Sequence, residues 1–190
     1  MNNSSSVRPP DEEQSLVAAI NEVVCLHAPD PAWARLFDTE HVRLLAALPG
    51  AFVQIEHIGS TAVPGLLAKP IIDILGGVAT MQDVDALVDR LCDSGYTTSR
   101  QFNATLVDRR WLMRCQDGHR THHLHVVAHD GTAWRERLAF RDALRTDATL
   151  AQRYADLKIQ LAAKHHADRE AYTEAKAHFV RTVVAGRPLS

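Results

Sequence analysis

The stretch from Ile55 to Leu75 constrains the fold more than any other part of the chain. It opens as an apolar β-type run, breaks at Gly59-Ser60, crosses a Pro64-Gly65 turn and resumes as an apolar run from Ile71. That second run carries a single acidic residue, Asp73. A carboxylate in a buried strand costs several kcal/mol unless it is paired, so Asp73 needs a partner or a site. A Gly-Ser turn at a strand end leaves backbone N–H groups free to meet an anion. Together these features suggest a phosphate cradle facing a metal-binding or acid–base carboxylate.

Two strands separated by an ordered loop need a core to sit on. With 190 residues, 46% of them apolar, the chain is long enough for one substantial core, and one domain is expected. A net charge of −2 gives no electrostatic case for nucleic acid, which needs a clustered basic face. Cys25, Cys92 and Cys115 are widely spaced and form no Cys-x-x-Cys pair, so neither a disulfide framework nor a thiolate zinc site is indicated. No apolar run has the length of a membrane helix, and the polar start lacks the apolar core of a signal peptide. These readings point to a cytoplasmic protein with a disordered tail over residues 1–12 and one domain over 13–190.

Periodicity fills in the rest. Residues 12–20 read as a helical turn and Val23 to Leu26 as a brief strand. A helix follows, with Asp30 as its N-cap and Pro31 at its first position. Its apolar face would comprise Trp33, Leu36, Phe37, Val42, Leu44, Leu45 and Leu48, ending at Pro49-Gly50. Strands are expected over 51–58 and 71–78, with Gly76-Gly77 as a bulge or a point of close backbone approach. A helix over 81–94 is closed by Gly95. A hairpin over 104–115 and 120–128 turns at Asp117-Gly118, and helices begin near Trp134, Asp147 and Asp168. The fold class is α+β, a small mixed sheet with a helical C-terminal third.

The candidate chemistry gathers around that sheet. Gly59, Ser60 and Thr61 form the candidate cradle, and an ordinary loop is the alternative. Asp73 is a site carboxylate or a buried acid salt-bridged to Lys69 or an arginine. Leu75 shares its strand face, where a two-carboxylate metal site would want a second acid. In His122 to Val127, His123 and His125 share one face and Leu124 and Val126 the other. Two imidazoles so placed suit a divalent ion or a phosphate, the alternative being a half-exposed edge. His57, just before the turn, is a fourth candidate ligand beside Asp73, His123 and His125. Lys69, Arg141, Lys158 and Lys176 are candidate cations, for which a solvated helix face is the plain alternative.

The run from Glu56 to Leu66 with Ala68 to Ile74 resembles the signature of the GrpB family. The resemblance continues through His123 to Val127, Phe140-Arg141-Asp142, Tyr154 to Lys158 and Tyr172 to Lys176, and covers most of residues 23–184. It implies a nucleotidyltransferase-like fold, in which a Gly-Ser turn holds a triphosphate and an acid–x–acid pair on the next strand binds magnesium. Gly59, Ser60 and Asp73 match those positions. Leu75 departs from the second acid, and His123 and His125 stand on the strand where a third acid is expected. GrpB-like domains also occur fused to dephospho-coenzyme A kinase, which implies a nucleotide or coenzyme A context.

Two functions remain open at this level. One is transfer of a nucleotidyl or phosphoryl group from a nucleoside triphosphate to a small acceptor. Asp73, His123 and His125 would then be catalytic, around magnesium, manganese or zinc. The other is a non-catalytic module that holds a nucleotide or phosphorylated small molecule, with no nucleic acid or membrane as partner. Neither reading fixes the acceptor or the oligomeric state.

Overall fold

A computed structural model describes residues 25–82, 84–116, 119–165 and 169–186. The expected tail, the helical turn over 12–20, Val23-Val24, the hairpin turn Asp117-Gly118 and the start at Asp168 lie outside the described residues.

Four strands form one sheet: β1 (Gln54–Ile58), β2 (Ile72–Val78), β3 (Arg109–Gln116) and β4 (His119–Ala128), in the order β1-β2-β4-β3. β2 runs antiparallel to β1 and parallel to β4, and β3 pairs antiparallel with β4. The sheet is therefore mixed, and β2 and β4 are its inner strands. An inner strand is covered on both faces, which is why β2 reads as an unbroken apolar run around Asp73.

One face carries the main core. Ile55, Ile72, Ile74, Leu112, Leu124 and Val126 pack against helices α1 (Ala32–Ala47) and α2 (Val84–Asp93) through Trp33, Leu44, Val84, Val88 and Leu91. On the opposite face Ile58, Leu75 and Val127 meet Ala133 and Trp134 of α4 (Thr132–Thr146). Helices α5 (Ala148–Lys164) and α6 (Arg169–Val184) complete that side, with Tyr154, Leu144 and Phe179 packed beside Val63 and Leu66 of the loop. A short helix α3 (Arg100–Ala104) precedes β3, and Ser99 caps it by accepting from the Phe102 amide at 3.1 Å. No helix among the described residues is long and apolar enough to cross a membrane.

Several expectations are corrected. The described end of the first expected strand, Cys25-Leu26, is not a strand; only a bridge between His27 and Ala68 forms there. Leu36, Val42 and Leu45 are exposed, while Glu40 on the same helix is buried. Glu40 sits among Arg43, Tyr96 and Arg114, which all donate to its carboxylate. That set of partners, drawn from three separate parts of the chain, outweighs the helical period. Asp30 caps α1 from one position further back than expected, accepting from the Ala32 amide at 2.8 Å. Gly76 and Gly77 make no bulge in β2. The rings of Phe52 and Trp134 lie where their side chains would be.

Candidate functional site

Register places the chemistry. Asp73 pairs with His123, Leu75 with His125, and Trp111 with His125, so these side chains share the face away from the main core. Asp73 Oδ1 lies 3.0 Å from His123 Nδ1. Burial opposes ionisation of Asp73, but the hydrogen bond from His123 and the charge of Lys176 prevail and hold its pKa below the usual carboxylate value. An ionised carboxylate can only accept, so His123 Nδ1 carries the proton of that bond. His123 Nε2 and His125 Nδ1 are buried with no hydrogen-bond partner. Burial, with the charge of Arg137 behind it, pushes the His125 pKa down to about 3, so its imidazole is neutral.

The loop after β1 closes over this face. Gly59 has φ +71° and ψ −171°, a conformation essentially reserved for glycine, and a Cβ there would collide with the Asp73 carboxylate. Ser60 to Ala62 then form one 3-10 turn. Three cations from the helical third hold the loop. Arg141 Nη1 donates to the His57 carbonyl at 3.0 Å and to Glu56 at 2.6 Å, and Arg145 Nε donates to the Ala62 carbonyl at 2.9 Å. Lys158 Nζ donates to Ser60 Oγ at 3.0 Å and to the Leu67 carbonyl, with its charge over the Tyr154 ring. Lys158 is 2% exposed. Burial first, and repulsion from Lys176 second, push its pKa down to about 7.

These elements bound a cavity of about 620 Å³. Ser60, Thr61, Lys69, Asp73, His123, His125, Lys158 and Lys176 all line it, so eight residues singled out in the sequence meet at one place. The Asp73 side chain keeps 31% of its surface exposed. Phe102, Trp111 and Tyr172 supply aromatic wall and Arg109 a further cation. Lys176 and Lys69 sit over the Tyr172 ring, at 4.2 and 5.4 Å from its centre. Trp111 and Arg109 were not legible: a plain hairpin about Asp117-Gly118 would set Trp111 opposite Leu124, and the register shift between Arg114 and Cys115 sets it opposite His125 instead. Phe102 lies on a helix too short to show a period.

Three candidates lie elsewhere. His57 pairs with Ile74 and so points to the main-core face, where it stacks on Phe37 at 4.7 Å and reaches Thr61 Oγ1 at 3.0 Å. Arg141 is buried in its contacts with Glu56, Asp142 and the loop, away from the cavity lining. Gly59 backs onto Asp73 from a neighbouring cavity.

The residues present do not match a magnesium site. Magnesium takes an octahedral set of oxygen ligands, usually one or two carboxylates with substrate phosphates and several waters. Here Leu75 occupies the second acid position, Asp73 is engaged by His123, and His57 faces the other way. Among the described residues, no three His, Cys, Asp or Glu side chains are grouped to hold a metal ion.

Residues 23–185 match the family model described as GrpB protein. The chain is 36% identical over 160 residues to the glutamate-rich protein GrpB of Alkalihalophilus pseudofirmus, covering 80% of this chain and 88% of that one. It is similar to the crystal structure of the conserved protein GrpB from Enterococcus faecalis, with a TM-score of 0.75 at 36% identity over 85% of this chain and 96% of that one. It is also 26% identical over 180 residues to a dephospho-CoA kinase of Mycolicibacterium paratuberculosis, covering 83% of this chain and 44% of the kinase. The chain spans from 43% to 95% of the length of the curated relatives it matches.

Proposed function

The chain belongs to the GrpB family, and we propose that its cavity binds a phosphorylated small molecule, with a nucleotide as the preferred form. The observation that carries this reading is the charge of the lining. Among the described residues, Lys69, Arg109, Lys158 and Lys176 face the cavity against Asp73 and Glu174. Cations gathered in a partly desolvated cleft favour a polyanion, since each charge-assisted hydrogen bond is stronger there than in water. Phe102, Trp111 and Tyr172 give a flat base something to stack on, an interaction of about 1–3 kcal/mol per base. About 620 Å³ is within the usual size of a small-ligand site. The likeness to a dephospho-CoA kinase, a protein named for a nucleotide-containing substrate, agrees with this class of ligand.

Isothermal titration of the full chain with ATP, coenzyme A and inorganic phosphate tests it. Binding of a phosphorylated ligand should weaken about tenfold or more in Lys176→Gln, the loss of one charged hydrogen bond. No uptake of any of the three would sink the reading.

Group transfer is a second reading, favoured by the Asp73–His123 pair. A carboxylate that fixes one imidazole nitrogen leaves the other as a base, the arrangement used to activate hydroxyl nucleophiles. In that reading an acceptor O–H gives its proton to His123 Nε2 as its oxygen bonds to the phosphorus of a nucleoside triphosphate. The bond from that phosphorus to its leaving group, pyrophosphate for nucleotidyl transfer or the nucleoside diphosphate for phosphoryl transfer, breaks in the same displacement. Mass analysis after incubation with each nucleoside triphosphate and a panel of small alcohols and amines would distinguish it from simple binding.

A further inference from the structure

Beside the first cavity lies a second, of about 600 Å³, between the Gly59 turn, the start of β3, α4 and the end of α6. Its polar lining is Arg109, Arg137 and Arg181 against Asp108 and Glu136. Among the described residues no ion pair engages any of these three arginines. Arg137 Nη1 donates only to the Ala133 carbonyl of its own helix, at 3.0 Å. Arg109 Nε is buried with no hydrogen-bond partner. The neighbouring cations are spent differently: Arg141 and Arg145 are tied to carboxylates and to the loop. Arg109 and Arg137 repel each other, and Asp108, Glu136 and Asp73 offset that repulsion at Arg137 only from a distance, with no ion pair formed, so an anion held between the guanidiniums would relieve it.

Arg109 lines both cavities. Between them stand Gly59 and the Asp73 carboxylate packed against it, and His125 feels both Arg137 and Arg109.

From this geometry we infer that the second cavity is an oxyanion subsite, in which Arg109, Arg137 and Arg181 take a phosphate or carboxylate group. The first cavity and this one then hold two anionic groups on either side of Asp73. Those groups are the two ends of one ligand or a phosphorylated ligand and its acidic acceptor. The joining of the two cavities rests on the phosphate reading of the first; the subsite itself does not.

The Nε–Hε resonances of arginine report on the subsite directly. Inorganic phosphate and acetate are titrated separately into the full-length protein at constant ionic strength, with chloride as the control. The Arg109 and Arg137 signals should move and saturate with at least one of the two anions and not with chloride, and the responding anion identifies the group. Arg137→Gln should weaken the response of Arg109 about tenfold, and Arg137→Lys, which keeps the charge but not the fork, should restore part of it. Lys176→Gln should leave the Arg137 titration unchanged, since Arg137 lines the second cavity and not the first. Arginine signals that stay still, or that follow chloride equally, overturn the inference. If they stay still while Lys176→Gln still costs nucleotide affinity, the first cavity's role survives and only the subsite falls. If the arginines respond and no nucleotide binds, the subsite stands and the nucleotide reading falls.

Discussion

Asp73 and His123 face each other across the parallel pairing of β2 and β4, with Oδ1 3.0 Å from Nδ1. Such neighbours on inner strands have no freedom to separate, so the carboxylate dictates which imidazole nitrogen holds the proton. In the wild type, ¹⁵N spectra of the His123 ring should show Nδ1 protonated. Asp73→Asn can offer its amide N–H in place of an acceptor, so the tautomer preference should weaken or reverse. An unchanged ring spectrum in Asp73→Asn would show that the pair is not formed in solution.

Gly59 tests the same junction from the other side. Its backbone angles are those of glycine alone, and a methyl group would strike the Asp73 carboxylate. Gly59→Ala should therefore lower stability at the upper end of about 1–3 kcal/mol, measured by denaturant unfolding. Gly65→Ala, at φ +75° but with open space around it, should cost less. Equal losses at the two positions would mean that backbone strain, not the Asp73 contact, sets the requirement at Gly59.

Much of this arrangement was legible because two periods could be read directly. Alternation on β4 separates His123 and His125 from Leu124 and Val126, and the apolar run around Asp73 marks an inner strand. His57 shows the limit. It adjoins the Gly-Ser turn in sequence, yet only pairing with β2 fixes its parity, which turns it toward Phe37. Glu40 lies on a helix whose apolar spacing suggested Leu36, Val42 and Leu45 as core. The buried acid is stabilised by Tyr96 and Arg114, 56 and 74 residues distant in the chain, and no local pattern encodes such a partner. Arg141 carries the charge expected of a ligand-binding residue and uses it on Glu56, Asp142 and the His57 carbonyl.

The Glu40 network gives a stability prediction apart from the cavity. Burial opposes its ionisation, but the hydrogen bonds from Arg43 and Tyr96 and the charge of Arg43 hold its pKa below the usual value. Glu40→Ala would leave Tyr96 without its acceptor and Arg43 and Arg114 short of a counter-charge. A loss of about 3–5 kcal/mol is expected on unfolding in urea. A loss under about 1 kcal/mol would place this network with weak surface pairs.

Acid should destabilise the fold through buried histidines. Burial pushes His57 down to about 4 and His125 to about 3, while in the unfolded chain each titrates near 6.5. As pH falls below about 6.5, the unfolded chain takes up protons that the folded one refuses, so stability drops. The drop continues until the folded-state values are reached, each group adding about 1.4 kcal/mol per pH unit inside its window. His57→Gln should flatten the curve between about pH 6 and 4. Stability profiles that superimpose would mean that His57 is not buried as a neutral ring.

Lys158 links pH to ligand binding. Its pKa is pushed down to about 7 by burial and by Lys176, so near pH 8 most folded molecules carry it neutral. Without ligand, stability should rise with pH from about 7 toward 10.5, because only the unfolded chain holds the proton in that window. An anion in the cavity raises the pKa of Lys158 and draws a proton in with it. At pH 8 a phosphate ester is almost fully ionised, its second pKa being about 6, so with an ester ligand the proton taken up belongs to the protein. Calorimetry at pH 8 in two buffers of different ionisation enthalpy should show net proton uptake on binding, and affinity should fall as pH rises from 7 to 9. In Lys158→Met both effects should vanish, along with the lysine's contribution to affinity. Met fills the same space without the charge, at the cost of leaving the Leu67 carbonyl without its donor. If binding at pH 8 exchanges no protons in the wild type, the ligand does not reach Lys158 and the phosphate must sit nearer Lys69 and Lys176.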